Sequence, residues 1–78
     1  MVNDIIIAGN YIGFEDNVLL LKINNLNVSQ IIRINIDKTL KMELEKHLKI
    51  NDRIGIKGYI DIDKNQNIII VATKIIII

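Results

Sequence analysis

One segment with helical periodicity lies between two segments that alternate as β-strands do, and this arrangement most limits the possible folds. In residues 31–36, alternate positions can face one side of a strand: Ile32, Ile34 and Ile36. Residues 53–62 repeat the pattern with inward-facing Ile54, Ile56, Ile60 and Ile62. Between them, a narrow apolar stripe predicts a helix of about three turns over residues 38–49, formed by Leu40, Leu44, His47 and Leu48. One helix surrounded by strands indicates a small closed barrel.

Polar turn segments separate three further strands. The first strand includes Asp4–Ala8 and is followed by Gly9, where we expect a bulge or a bend. Residues 11–14 either continue this strand or begin the loop after it. The second strand is Val18–Ile23 and the fifth covers residues 68–77, with polar turns expected at residues 15–17, 24–27 and 63–67. An all-β chain of five strands, with one helix between the third and the fourth, has the order of the OB-fold, a Greek-key barrel. Another small barrel, such as an SH3-like one, is the alternative.

Both ends of the predicted helix carry candidate capping residues. Asp37 or Thr39 can accept hydrogen bonds from the first turn as the N-cap. Asn51 is placed to take the left-handed C-cap conformation that glycine usually adopts. We therefore expect the helix to end just before Asn51.

Composition bounds the class of protein. The 78 residues suffice for a single domain, residues 1–78. The chain has no cysteine, no secretion leader and no apolar run of the roughly 20 residues that span a bilayer, so we expect a cytoplasmic protein with no membrane partner. The net charge is only +1, but residues 38–78 carry eight cations and five anions, against two cations and four anions in residues 1–37. Any positive surface should come from the second half.

No set of catalytic residues emerges from the sequence. His47 is the only histidine, and its place on the apolar stripe favours a packed, partly exposed helix residue over an acid or base. Ser29 is the only serine and has no base near it in sequence. Asp61 and Asp63 could share a face as metal ligands or catalytic acids, but we interpret them as flanking a solvated hairpin. The chain is expected to be a non-enzyme without cofactor or metal.

Two segments resemble the bacterial single-stranded DNA-binding proteins. LKINDRIGIKGYI is similar to the helix–turn–strand signature of that family, with Asn51 where the family usually has glycine. The opening VNDIIIAGN is similar to its first strand, and the resemblance covers nearly the whole chain. It implies an OB-fold that binds single-stranded DNA without sequence specificity, with replication proteins as further partners. It also implies a homo-oligomer, a dimer or tetramer assembled through strand one.

The chain departs from that family in three respects. It has no tryptophan for base stacking, its loops between the first three strands are shorter, and the acidic C-terminal tail of the family is absent. We therefore expect a short, divergent member, or a bare domain akin to the small primosomal proteins that share the fold. Strands one and five are apolar on both faces, which independently favours assembly because large exposed apolar patches mark interfaces.

A cation beside an aromatic residue on an outward strand face supplies the candidate binding site. Proteins that bind single strands combine a basic groove with side chains on which bases stack. The residues that could provide these functions are Arg33, Asn35, Lys57 and Tyr59 on the outward faces of strands three and four, with Lys22, Tyr11 and Phe14 at the margin. In the alternative interpretation, Tyr59 covers a protein interface and Lys57 is an ordinary solvated charge. The barrel would then be an interaction or oligomerisation module without a nucleic-acid role.

Overall fold

The computed structural model describes residues 3–25 and 28–78. The elements follow the predicted order: β1 (Asp4–Glu15), β2 (Val18–Asn25), β3 (Val28–Asn35), α1 (Lys38–Glu45), β4 (Arg53–Ile62) and β5 (Ile68–Ile77). The bounds of β4 and β5 agree with the sequence prediction. Residues 11–14 continue the first strand, which runs to Glu15, so the turn that follows it is formed by Asp16 and Asn17. β2 continues to Asn25, and the rest of the turn predicted at residues 24–27 lies outside the described residues.

The five strands close into a barrel in the order β1-β2-β3-β5-β4. β1 closes the barrel because its first half pairs with β4 and its second half, from Asn10 onward, pairs with β2. All neighbouring strands are antiparallel except β3 and β5, which run parallel where Ile34 faces Ile70 and Asn35 faces Val71. A closed five-stranded barrel with its helix between β3 and β4 confirms the predicted OB-fold.

The core consists of the inward residues of the alternating strands together with two leucines from the helical region. Five side chains are almost completely buried: Leu19, Leu21, Ile34, Ile54 and Ile56. Leu44 from α1 and Leu48 just after it close the core against the barrel. Each fully buried aliphatic side chain contributes roughly 1.5–3 kcal/mol relative to exposure. The inward positions predicted from the alternation, Ile34, Ile54 and Ile56, are therefore among the residues that stabilise the barrel.

The inward assignment of the last two isoleucines of β4 is wrong. Ile60 is 41% exposed and Ile62 is 63% exposed. In the part of the chain that the structure describes, β1 stops pairing with β4 where Asp4 faces Tyr59, so beyond Tyr59 β4 pairs only with β5. The end of this hairpin therefore projects past the barrel, where alternation continues but there is no core to face.

Helix α1 starts as predicted and ends early. The Asp37 carboxylate accepts a hydrogen bond from the Leu40 backbone N–H at 2.7 Å, which identifies Asp37 rather than Thr39 as the N-cap. The helix ends at Glu45, so the predicted end near residue 49 is wrong. Leu48 is still buried because a turn carries it inward, with its N–H donating to the Leu44 carbonyl at 2.8 Å. The apolar stripe predicted from the sequence therefore continues past the last residue of α1.

Asn51 takes the predicted left-handed conformation, with φ of 77°, but in a different role. It does not cap α1. Its N–H donates to the Tyr11 carbonyl at 2.7 Å, and its own carbonyl accepts from the Asn10 side chain at 3.0 Å. Asn51 therefore joins the turn before β4 to the middle of β1.

The bulge in β1 lies after Gly9 rather than at it. The register between β1 and β2 shifts between Tyr11 and Gly13, and Gly13 has a φ of 134°. Gly9 is needed for another reason: a Cβ there would lie 2.7 Å from the Lys22 carbonyl oxygen and 2.9 Å from the Leu21 side chain. The glycine allows β2 to cross β1 closely at the point where β1 changes partner.

Candidate nucleic-acid interface

Tyr59 and Lys57 lie on the outer face of β4, as predicted. The residues that alternate with them, Ile56 and Gly58, are buried. Tyr59 is 37% exposed, and the Lys57 side chain extends into solvent. An exposed aromatic ring therefore stands two residues from an exposed cation on one strand face.

Lys74 adds a second cation that the sequence analysis missed. It lies directly opposite Lys57 across the β4–β5 ladder. Counting back from the hairpin pair Ile62–Ile68 places Thr73 opposite Lys57, but a register shift at Gly58 moves Lys74 into that position. Like charges directly opposite one another destabilise a sheet, and no ion pair involves either lysine within residues 3–25 and 28–78. An anion that bridged the two ammonium groups would remove this repulsion.

A cross-strand row connects β4 to β3 on the outer face. Tyr59 faces Val71 of β5, and Val71 faces Asn35 of β3. Since neighbouring strands are about 4.8 Å apart, Tyr59 and Asn35 are separated by roughly 10 Å at the backbone. Arg33 precedes Asn35 by two residues and lies on the same face. The four residues predicted from β3 and β4 therefore share one continuous outer surface.

Two of these residues already have partners within the chain. The Arg33 guanidinium donates to the Glu15 carboxylate at 3.0 Å, in an ion pair exposed on both sides. The Asn35 side-chain amide donates to the Ile70 carbonyl at 3.5 Å, a long and weak bond across the β3–β5 contact. Arg33 is thus available only in competition with Glu15, and Asn35 helps to close the barrel.

Lys22 lies farther along the same surface. It faces Asn10 of β1 and Ile31 of β3. Lys22 and Ile31 border a shallow depression, which is lined by Ile12, Lys22, Ser29, Gln30 and Ile31. This depression combines one cation with two exposed polar side chains and aliphatic surface, on the strand face that OB-folds use for oligonucleotides.

Tyr11 and Phe14 do not lie at the margin of this surface. Tyr11 is only 7% exposed and Phe14 is half-buried, and their rings meet edge to face with centroids 5.5 Å apart. They turn inward because they face the core leucines Leu21 and Leu19 in the β1–β2 register. Burial, with a smaller contribution from the Glu45 carboxylate, raises the pKa of the Tyr11 phenol above its usual value. The Tyr11 ring is therefore unavailable for stacking on a base, and Phe14 is covered on one side by the Lys41 ammonium, 5.6 Å from its centroid.

The residues considered for catalysis occupy surface positions. His47 is exposed in the turn after α1, whereas Leu44 and Leu48 are buried. Asp63 organises the hairpin loop, since its carboxylate accepts from the N–H groups of Asn65 and Asn67 at 2.8 and 2.9 Å. In the described part of the chain, no cluster of histidine and carboxylate side chains could hold a metal ion. Nor is any helix there long and apolar enough to cross a membrane.

Several solved structures share the fold over almost the whole chain. The mitochondrial single-stranded DNA-binding protein Rim1 of S. cerevisiae superposes with a TM-score of 0.79 at 8% identity, covering 97% of this chain and 93% of Rim1. The second single-stranded DNA-binding protein of Mycobacterium smegmatis gives 0.69 at 16% identity, covering 96% and 87%. OBody AM1L10, solved bound to hen egg-white lysozyme, gives 0.69 at 17% identity, covering 96% and 77%.

Sequence comparison does not assign the chain to a family, because no protein-family model and no curated protein matches it. The similarity therefore lies in the backbone and in the order of the elements. The chain has the fold of the single-stranded DNA-binding proteins, a five-stranded OB barrel with one helix between its third and fourth strands.

Proposed function

We propose that the chain binds single-stranded DNA without sequence specificity across the outer surface that runs from Lys22 past Arg33 and Asn35 to Tyr59 and Lys57. The observation that carries this proposal is the exposed Tyr59 ring beside two lysines that face each other across β4 and β5. The ring offers a platform for a base, and the lysines offer positive charge for the flanking phosphates. Nothing in this arrangement requires a cofactor, and we propose a binding protein rather than an enzyme.

The contributions of base stacking and of positive charge to the binding affinity can each be estimated. A base stacked on an aromatic side chain contributes about 1–3 kcal/mol. For single strands, each neutralised phosphate adds about −0.7 to the slope of log affinity against log salt. Lys22, Lys57 and Lys74 would neutralise about three phosphates, so the expected slope is roughly −2 for each subunit. One subunit should therefore bind weakly and with modest salt dependence.

The fold supports the proposal, since two of the similar structures are of single-stranded DNA-binding proteins. We propose that the chain acts as a DNA-binding or accessory replication factor, and the absence of cysteine from the sequence is consistent with our proposal of a cytoplasmic location. The OBody complex with lysozyme is of an OB barrel bound to a protein. A pure interaction module is therefore the competing function that an experiment has to exclude.

We also propose that the chain assembles through β1. The segment Asp4–Ala8 pairs with β4 on one side, while the pairing of β1 with β2 begins only at Asn10. Its second edge therefore has no strand partner in the described residues, and Ile6 on this segment is 81% exposed. An apolar strand with an open edge is a template for pairing with a second chain. Assembly would place several weak binding surfaces in one particle and raise the overall affinity.

Binding of fluorescent oligo(dT) across a range of salt concentrations tests the proposed function. Tyr59→Ala should weaken binding by about 1–3 kcal/mol and leave the salt slope unchanged, because it removes stacking and no charge. Lys57→Ala should reduce the slope by about 0.7. Lys46→Ala is the matched control, since it removes the same charge from an exposed position at the end of α1, away from this surface.

The outcomes separate three conclusions. Different effects of the Tyr59 and Lys57 variants, with a neutral Lys46 variant, support the proposed surface. If both variants bind as wild type does, the DNA lies elsewhere. If wild type does not bind oligo(dT) even at low salt, the interaction-module function is correct.

A further inference from the structure

The exposed ion pair between Glu15 and Arg33 crosses the candidate interface. Glu15 ends β1 and Arg33 lies in β3, with β2 between them. In the register, Glu15 faces Val18 and Arg33 faces Leu20, so the two side chains meet above the outward residues of β2. Because the backbones of β1 and β3 are two strand spacings apart, the two side chains together span roughly 10 Å. The pair therefore lies over the strand face itself and not at its edge.

The geometry of the pair leaves most of the guanidinium available. One terminal nitrogen of Arg33 donates to one Glu15 oxygen at 3.0 Å, and the side chains are 55% and 61% exposed. It is the only ion pair formed by side chains within the described ranges, although ten lysines and arginines occur in the sequence. A guanidinium can form two parallel bonds to a carboxylate or to a phosphate. The Glu15 carboxylate thus occupies a position that a phosphodiester oxygen could take.

We infer that Arg33 is a phosphate-binding position whose resident anion is Glu15, so that a DNA strand must displace Glu15 to use it. This inference rests on the proposed function. In the free protein the carboxylate cancels the charge of Arg33, and in the complex a backbone phosphate replaces it. Glu15 therefore limits affinity and makes Arg33 contribute less than Lys22 or Lys57, neither of which forms an ion pair in the described part of the chain.

The ion pair is weak enough to be exchanged. Exposed pairs contribute at most about 1 kcal/mol, because both groups are well hydrated when separated. Removing the Glu15 charge should therefore change affinity by a measurable but limited factor. A ratio of about fivefold in the dissociation constant corresponds to about 1 kcal/mol.

The test compares oligo(dT) binding by wild type, Glu15→Gln and Glu43→Gln at several salt concentrations. Glu43→Gln is the control because it makes the same change in net charge at an exposed position on α1. We expect Glu15→Gln to tighten binding by about fivefold at low salt. Its salt slope should become steeper by about 0.7, because no displaced Glu15 carboxylate remains to offset the Arg33 charge in the complex. Glu43→Gln should change neither quantity appreciably.

A double-mutant comparison identifies Arg33 as the group that is released. In an Arg33→Gln background, the gain from Glu15→Gln should disappear, because no guanidinium remains to be freed. If Glu15→Gln increases the affinity equally with and without Arg33, or if Glu15→Gln and Glu43→Gln have equal effects, the inference is wrong. The proposed function would still stand in either case, provided that wild type binds oligo(dT). If neither wild type nor any variant binds oligo(dT), both the inference and the proposed function are wrong.

Discussion

Replacing Gly58 with alanine should unfold this barrel at a much lower temperature than replacing Gly55, although both glycines lie on β4. A Cβ at Gly58 would lie 2.1 Å from the Val71 carbonyl oxygen and 3.1 Å from the Ala72 Cα. At Gly55 the nearest atom to a new Cβ is the flexible end of Ile78, at 3.7 Å. Neither glycine has a positive φ, so the comparison isolates the close approach of the two strands.

The cost follows from the displacement that alanine requires. Carbon–oxygen contacts between strands lie at about 3.3–3.6 Å, so the 2.1 Å contact at Gly58 requires β4 and β5 to separate by about 1.2–1.5 Å. Strain from overpacking costs typically 1–3 kcal/mol, and each ladder hydrogen bond lost adds about 0.5–1.5 kcal/mol. We expect a total of about 3 kcal/mol, a large fraction of the roughly 4–12 kcal/mol available to a domain of this size. Gly55→Ala should be neutral or stabilise by about 0.4–1 kcal/mol through the unfolded state.

Thermal unfolding followed by far-ultraviolet circular dichroism measures the difference. A loss of 3 kcal/mol corresponds to a fall in Tm of about 12–24 °C in a domain of this length. The variants must be compared at one protein concentration, because association shifts Tm. If the two alanine variants unfold within about 1 kcal/mol of each other, the backbone approach at Gly58 is not what determines β4–β5 pairing.

Three further changes test separate features. Asp37→Ala should cost about 1 kcal/mol in urea unfolding because it removes the N-cap, whereas Thr39→Ala should cost much less; equal losses would contradict the assigned cap. Tyr11→Phe should remove a loss of stability at alkaline pH. Burial raises the folded-state pKa of Tyr11, so the stability that the neutral phenol contributes is complete below the unfolded pKa of about 10 and is lost as the pH rises through the folded pKa. Parallel stability curves of wild type and Tyr11→Phe from neutral to alkaline pH would argue against that shift. Ile6→Lys should yield smaller species in analytical ultracentrifugation, since lysine on an open edge opposes strand pairing. A wild type that sediments as a monomer at tens of micromolar would end the assembly proposal.

The fold could be predicted from the sequence because its signals are local. Alternating isoleucines in β3 and β4, interrupted by one stretch of helical period, indicate five strands and one helix in a definite order. The Asp37 cap and the left-handed Asn51 follow equally from single residues and their neighbours. These features depend on the backbone preferences of short segments, which the sequence expresses directly.

The candidate site could be predicted only in part because it depends on register. The bulge after Tyr11 and the pairing of β1 with β2 turn both Tyr11 and Phe14 toward the core, and no local pattern shows this. Lys74 reaches its place opposite Lys57 through a register shift. The Glu15–Arg33 pair requires three strands to be aligned first. Alternation gives the face of a residue, whereas its neighbours across the sheet emerge only from the folded barrel.

The parallel contact between β3 and β5 makes the barrel open at one predictable place. Within the described residues these strands pair only where Ile34 faces Ile70 and Asn35 faces Val71, and long antiparallel ladders hold the other junctions. A short pairing between segments far apart in sequence forms late in folding and opens below the global free energy. Amide hydrogen exchange at Asn35 and Val71 should therefore be faster than at Ile56. A DNA strand lying from Arg33 to Tyr59 would cross this junction, and its binding should slow exchange there selectively.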